Sequence, residues 1–448
     1  MDAAHIARAT LDRRGRIDDL YAKCAFGSGV VLVVLEAIYL LSSHPAFFRP
    51  SWSVMGGPIG ADFVNFWMGA RSVFAAGPAG WFDADVYNAA VRAMLPPAPA
   101  GTSHTFFWSY PPHLVLFTWP LGLMPYLAAY AVWCIGGLAV FAAAVRAGGI
   151  EARNLPFVAL APAAAANVLS GQNGFLIAAL LIGGLSALDR RPILAGVLFG
   201  ILTVKPQFGL LLPVMLILTG RGRTIAAAVA TTAVLVAVTA ALYDPDIWIE
   251  CLTKTGAQEV RLLQTIGLYL MPSAFAGMRL LGLPAEPAWA VQAVQSAAAL
   301  AATVWTFRRR RDGTLSIALL VTATFLFTPY SYWYDLTAIA YVAGLLRQRD
   351  DNTALDHCLI LAAWALPVAM VIASLVLPLV PVAYLVLPAL GARLLWRLRA
   401  RPQTAAGNGR REGSLDFQNY SWHTAVEAMP VSTWQNPALS GHNDGVRQ

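Results

Sequence analysis

The chain alternates apolar stretches of about 12 to 33 residues with short polar turns, and about 20 apolar residues suffice to cross a hydrocarbon core of about 30 Å. The stretches fall at 25–41, 113–145, 154–170, 174–188, 192–204, 206–219, 224–243, 288–307, 314–330, 335–346, 354–376 and 379–396. This pattern predicts an all-α polytopic membrane protein, a bundle of about 12 transmembrane helices. The stretches within 192–219 and at 335–346 are the shortest. Two polar intervals, 42–112 and 244–287, are too long to be simple connections, and loops beyond about 12–15 residues usually carry function. Both are dense in aromatics, among them Trp52, Phe63, Phe66, Trp67, Trp81, Phe106, Trp108, Tyr110, Trp248 and Tyr269. Such rings favour the membrane–water interface, so short helices lying in the outer leaflet are expected there.

Composition sharpens this picture. Of 448 residues, 58% are hydrophobic and 12% charged, against roughly 25% charged in an ordinary soluble domain. That deficit excludes a soluble globular enzyme, a nucleic-acid binder and a disordered chain. The net charge of +7 is therefore a matter of loop topology. Placing the first stretch with its N-terminal flank inside leaves only Arg49, Arg71, Arg92, Lys205, Lys254, Arg261 and Arg279 outside; every tight inner turn is basic, as cytoplasmic loops are. No small-residue cleavage site follows 25–41, so it reads as an uncleaved span. Both termini are then cytoplasmic, in a bacterial inner membrane. Residues 1–24 form a cytoplasmic segment, 25–396 the membrane domain, and 397–448 a polar tail predicted to be disordered. Cys24, Cys134, Cys251 and Cys358 are scattered without a C-x-x-C pair, which supports neither a disulfide framework nor a cysteine metal site.

A few polar residues stand out against this apolar background. Asp62, in GADFVNFWMGAR, is either a helix N-cap or a functional acid at the membrane surface, able to take a proton from an acceptor hydroxyl. Lys205 interrupts an apolar segment at Lys-Pro. It either snorkels at a helix turn or reaches a polar outer cavity as a cation for lipid phosphate. The Ser170-Gly171-Gln172-Asn173-Gly174 turn offers ordinary turn chemistry, or carboxamides that bind sugar hydroxyls or phosphate oxygens. Tyr110 and His113 re-enter the membrane in Y-P-P-H; His113 is a phosphate or sugar contact or a satisfied interface residue. Arg279 is a lipid anchor or a phosphate clamp. Asp83 and Asp85 form a lone D-x-D, a weak metal signal. Asp335, in TPYSYWYD, is a helix cap or a second polar site residue. Nucleotide-binding, nucleophile-elbow and zinc-protease motifs are absent from the sequence.

Taken in order, DFVNFWMGAR, WFDADVYNAA, YPPHLVLFTWPLGLMPYLAAYAVW, SGQNGFLIAALLIGGL, DRRPILAGVLFGILTVKPQFGLLLP and MPSAFAGMRLLG resemble glycosyltransferase family 87, formerly called domain of unknown function 2029. The resemblance spans roughly 25–395 and implies a GT-C fold with its active site at the outer face. It implies a polyprenyl-phosphate sugar as donor and an envelope glycolipid or glycan as acceptor; characterised members are mannosyl- and arabinofuranosyl-transferases. On this resemblance the family's catalytic acid looks like Asp62 and its lysine like Lys205, with Gln172, Asn173 and Gln207 as polar partners. Arg279 falls in a stretch similar to the later outer loop. A late-loop histidine used by some members is absent; YSYWYD stands in its neighbourhood. No cofactor or divalent metal is indicated, and partners other than the two substrates are membrane lipids. The rivals are a transporter or lipid-linked glycan flippase, whose internal repeats are not found, a polymerase or ligase of whole lipid-linked glycans, and a non-enzymatic scaffold.

Overall fold

The computed structural model describes residues 3–43, 47–53, 57–73, 80–97, 106–256, 267–309, 312–376 and 382–400. Arg261 and the tail beyond Ala400 lie outside the described residues. Numbering only helices of nine residues or more, the chain forms α1 (Ala3–Ser42), α2 (Phe63–Ser72), α3 (Ala84–Met94), α4 (Tyr126–Ala147), α5 (Pro162–Ser170), α6 (Gly174–Ala187) and α7 (Pro192–Ile201). There follow α8 (Gly222–Tyr243), α9 (Ala285–Arg308), α10 (Gly313–Phe327), α11 (Thr337–Arg347), α12 (Ala354–Val376) and α13 (Val382–Ala400). Among the described residues the regular elements are helical, apart from a lone bridge between Trp52 and Pro58.

Among the described residues five helices are long and apolar enough to cross a membrane: Gly15–Ser42, Tyr126–Ala147, Gly222–Tyr243, Ala285–Arg308 and Ala354–Ala373. Their burial shows what surrounds them. The apolar window of Gly222–Tyr243 is 6% buried and that of Gly15–Ser42 11%, so large side chains such as Val229, Val33 and Phe26 face outward. A water-facing helix could not sustain so much exposed apolar surface; lipid is the solvent that suits it.

Proline divides several of the stretches that the sequence presents as single spans. The stretch 113–145 is broken into Pro112–Leu114, Val115–Thr118, Trp119–Leu123 and then α4, with Pro120 and Pro125 at the interruptions. The stretch 154–170 is broken at Pro162, where α5 begins after Leu155–Ala159. Between 192 and 219 the chain makes a hairpin of half-length helices: α7 and Leu202–Val204 lead to Lys205, and Pro206–Phe208 and Leu212–Leu218 lead back. Ten residues of α-helix rise only about 15 Å, half the hydrocarbon thickness. The hairpin closes at its base through the Arg221–Asp189 ion pair, at the end opposite Lys205.

The first long loop also differs from the expectation of helices lying in the interface. Its rings are core residues: Phe63, Phe66, Trp67, Phe106 and Trp108 are all but fully buried. Phe66 packs on Trp133 of α4 with ring centroids 5.0 Å apart, and Trp81 lies 4.7 Å from Trp108. Trp indole groups find backbone acceptors, as in Trp67 Nε1 to the Met124 carbonyl at 3.1 Å. Packing among protein rings buries more apolar area than an interfacial position would, and each such side chain can bury 150–250 Å². The loop is thus a small aromatic domain seated on α4.

The two ends of the bundle have opposite character. Basic turns gather at one end, where Arg347 meets Asp18 at 3.4 Å, Tyr21 meets His357 at 2.9 Å and Arg393 meets Asp356 at 2.8 Å. At the other end of α11 stands Asp335. Eleven residues separate the two ends of this helix, a rise of about 16 Å.

Candidate active site

Asp62 is presented by a strained turn. Gly60 has φ +74° and Ala61, a residue with a Cβ, φ +39°. Left-handed backbone at a non-glycine residue is sparsely populated and concentrates at functional sites. Asp62 then occupies the N-cap position of α2 but makes no side-chain cap bond. Instead its Oδ2 accepts a hydrogen bond from Gln172 Nε2 at 2.8 Å. Gln172 Oε1 in turn accepts from the Tyr110 hydroxyl at 2.9 Å. The amide is oriented at both ends, so the carboxylate is held by a three-residue chain.

The S-G-Q-N-G turn is what joins this acid to the rest of the site. Gly171 has φ +59°, and a Cβ there would sit 2.2 Å from the Gly60 carbonyl oxygen. Asp62 N donates to the Ser170 carbonyl at 3.0 Å. On the other side a Cβ at Gly174 would lie 2.4 Å from the Tyr334 carbonyl oxygen, and Thr337 Oγ1 donates to the Gly174 carbonyl at 3.0 Å. The turn is therefore wedged between the Asp62 turn and the Tyr334–Asp335 segment. It is plain turn chemistry and site architecture at once.

Lys205 stands at the tip of the hairpin, where Pro206 cannot donate to a continuing helix. Its Nζ lies 2.7 Å from Asp335 Oδ1, with side-chain exposures of 7% and 1%. The ammonium also lies 4.9 Å from the centroid of the Tyr334 ring and 5.7 Å from that of Phe208. Asp335 Oδ2 accepts from the Tyr332 backbone N–H at 3.0 Å. Asp335 thus caps this turn and pairs with the lysine, and a buried ammonium requires such a partner.

These groups share one space. A cavity of about 1800 Å³ is lined by Asp62, Lys205, Gln172, Gln207, Tyr110 and His113. His113 is buried, stacks on Trp248 at 5.6 Å and contacts Thr203 Oγ1 through Nε2 at 3.2 Å. Thr203 Oγ1 also donates to the Gly200 carbonyl at 2.5 Å. The same cavity is also lined by apolar side chains, among them Val31 and Leu35 of α1, Leu169 of α5 and Val368 and Ile372 of α12.

Two of the sequence candidates stand apart from this lining. Asn173, within the turn itself, is 1% exposed, its amide buried without a hydrogen-bond partner. Arg279 donates from Nη1 to the Leu283 carbonyl at 2.7 Å, closing the end of its own short helix. Asp83 Oδ1 accepts from the Asp85 and Val86 N–H groups, both at 3.1 Å, so the D-A-D triplet is the N-terminus of α3.

Sequence reasoning did not single out Asn65, which also lines the cavity and accepts from the Tyr87 hydroxyl at 3.1 Å. Its position one helical turn after Asp62 was the available signal. Nor did it pair Lys205 with Asp335, 130 residues away. The signal there was a lysine and a carboxylate that each stood in apolar sequence and each needed a counter-charge.

The site thus combines an acid held by an oriented amide, a buried, paired cation and a cavity lined by polar and apolar side chains alike. Residues 108–329 match the family described as Glycosyltransferase family 87, the same family that the sequence motifs resemble. No curated protein matches the chain, and no solved structure matches it.

Proposed function

We propose that this protein moves one sugar from a polyprenyl-phosphate donor to an envelope glycolipid or glycan, at the outer face of a bacterial inner membrane with both termini in the cytoplasm. The observation that carries the reading is that Asp62 and Lys205 line one cavity that apolar side chains of α1, α5 and α12 also line. A polyprenyl-phosphate sugar likewise joins a charged head to a long hydrocarbon chain. The site lies at the end of α11 opposite the basic turns, which favours the outer face under the positive-inside rule.

In the proposed step an acceptor hydroxyl attacks the anomeric carbon and Asp62 takes its proton. The new bond from the acceptor oxygen to that carbon forms as its bond to the phosphate oxygen breaks. The electron pair leaves with the lipid phosphate, which becomes a monoester dianion. Direct displacement inverts the anomeric centre. Lys205 has three N–H donors and Asp335 takes one, so the ammonium can also receive a phosphate oxygen as charge builds there; stabilisation of developing charge is usually the largest catalytic contribution. Gln172 and Tyr110 orient the base. Gln207 and His113 face the same space and serve the donor's head. Asn173 supports the turn from within, and Arg279, closing a nearby helix, is assigned an indirect part in donor binding.

The test is transfer by purified protein from decaprenyl-phosphate sugars to extracted envelope lipids. Asp62→Asn is expected to lower turnover by 10²–10⁴, the usual contribution of general base catalysis, and Lys205→Met by 10²–10³. Full transfer by Asp62→Asn would remove the proposed base. Comparative lipid and glycan profiling of a deletion strain would then name sugar and acceptor together.

A further inference from the structure

The cavity has one more feature that the proposed step does not use. Tyr330, Tyr332 and Tyr334, spaced every second residue, all line it. Tyr332 and Tyr334 are nearly parallel, with centroids 5.5 Å apart and planes at 17°. Tyr330 and Tyr332 have centroids 5.5 Å apart and planes at 88°. The three rings therefore make a corner: a parallel pair met by a perpendicular ring. Tyr334 is the inner member, buried, with the Lys205 ammonium over its ring. Tyr330 and Tyr332 are half-buried, further from the ammonium along the chain.

We propose that Tyr330 and Tyr332 form the subsite for the donor's sugar, stacking on the C–H face of a neutral pyranose or furanose ring and so selecting the sugar that is transferred. This deepens the reading of Asp62 and Lys205 given above and rests on it. The order of groups follows the order of the substrate. A phosphate held at Lys205 sits at the Tyr334 end of the array, and the sugar, one bond further out, meets the next rings. Both ring pairs are already in contact, with centroids 5.5 Å apart, so the sugar lies against the cavity-lining sides of Tyr330 and Tyr332 rather than between two rings. An aromatic face carries partial negative charge, and the C–H bonds of a sugar face are polarised the other way. The hydroxyls around the rim stay free for carboxamides such as Gln207. The backbone contributes as well: Tyr332 N–H holds Asp335 in the cap, so the segment that carries the rings also fixes the partner of Lys205.

The experiment measures binding of decaprenyl phosphate and of decaprenyl-phosphomannose to purified full-length protein in detergent. It compares wild type with Y330L/Y332L, Y330F/Y332F and K205M, each required to elute as a single monodisperse species. Leucine removes the rings and leaves the backbone cap in place. The expected result is that Y330L/Y332L binds the phosphomannose at least tenfold more weakly and decaprenyl phosphate unchanged, whereas Y330F/Y332F stays within about threefold of wild type for both. K205M loses affinity for both lipids. Equal loss for both lipids in Y330L/Y332L would overturn the sugar subsite, as would an equal loss in the leucine and phenylalanine variants. If the double leucine variant does not fold, Y332L alone carries the same comparison. Unchanged decaprenyl phosphate binding in K205M would refute the phosphate assignment separately, and wild-type protein that binds neither lipid would overturn both readings.

Discussion

Asp335→Asn is the most revealing single change, because it removes one charge from a buried pair and keeps the side chain's shape. At 2.7 Å and an effective dielectric constant of about 20, the gross attraction between Lys205 and Asp335 is about 6 kcal/mol. Taking the two ions out of water costs several kcal/mol each, so the intact pair contributes little net stability. Asparagine can still accept from the Tyr332 N–H, which preserves the cap. It leaves the Lys205 ammonium desolvated and uncompensated, and breaking a buried pair in this way costs about 3–5 kcal/mol. The double variant K205M/D335N has no stranded charge and is expected to recover at least about 2 kcal/mol of that loss. The assay is equilibrium unfolding of wild type, D335N, K205M and K205M/D335N in mixed micelles of mild detergent and dodecyl sulfate, followed by tryptophan fluorescence. A single variant as stable as wild type, or a double variant no better than the single, would refute the reasoning. It would mean that Lys205 finds its counter-charge elsewhere.

Gln172→Leu removes the amide between Tyr110 and Asp62. A hydrogen bond to a charged group contributes about 1.5–3 kcal/mol, so turnover should fall roughly 10- to 150-fold in a transfer assay with little change in lipid phosphate binding. Gly171→Ala would push a Cβ to 2.2 Å from the Gly60 carbonyl oxygen and should cost at least about 2 kcal/mol. Gly220, with φ +70° and nothing within 4 Å of the same Cβ, is the control; its alanine variant should lose about half as much or less in the same unfolding assay. At the basic end, burial raises the Asp351 carboxyl, but hydrogen bonds from Arg349 and Arg397 outweigh that and hold it at about 2. Its unfolded value is about 3.9, so the stabilisation is complete above pH 4 and disappears as pH falls through about 2. The stability difference between wild type and D351N, small because the group is partly solvated, should therefore vanish between pH 4 and 2.

The membrane character of this protein was legible in the sequence, because a hydrocarbon solvent demands long apolar stretches whatever their partners. So were Asp62 and Lys205 as candidates, since a charge in apolar sequence is conspicuous before any fold is known. The sequence could not say which stretches run unbroken. Pro120, Pro125, Pro162 and Pro206 were visible, yet a proline can kink a helix, end it or sit harmlessly in its first turn, and only the packing chooses. Nor could it distinguish a ring at the membrane interface from one in a core: Trp67 and Trp108 have the same composition signal in either place. The family resemblance grouped Asp62, Gln172 and Lys205, but the residues by themselves did not, and the pairing of Lys205 with Asp335 was beyond reach for a different reason. Hydrophobic periodicity reports the face of an element over a few turns, whereas the Lys205–Asp335 pair spans 130 residues and the Gln172–Asp62 bond 110. Their meeting is set by close contacts at Gly171 and Gly174, where the absence of a side chain lets three segments touch. That absence has no periodic signature; only the folded chain shows what occupies the space.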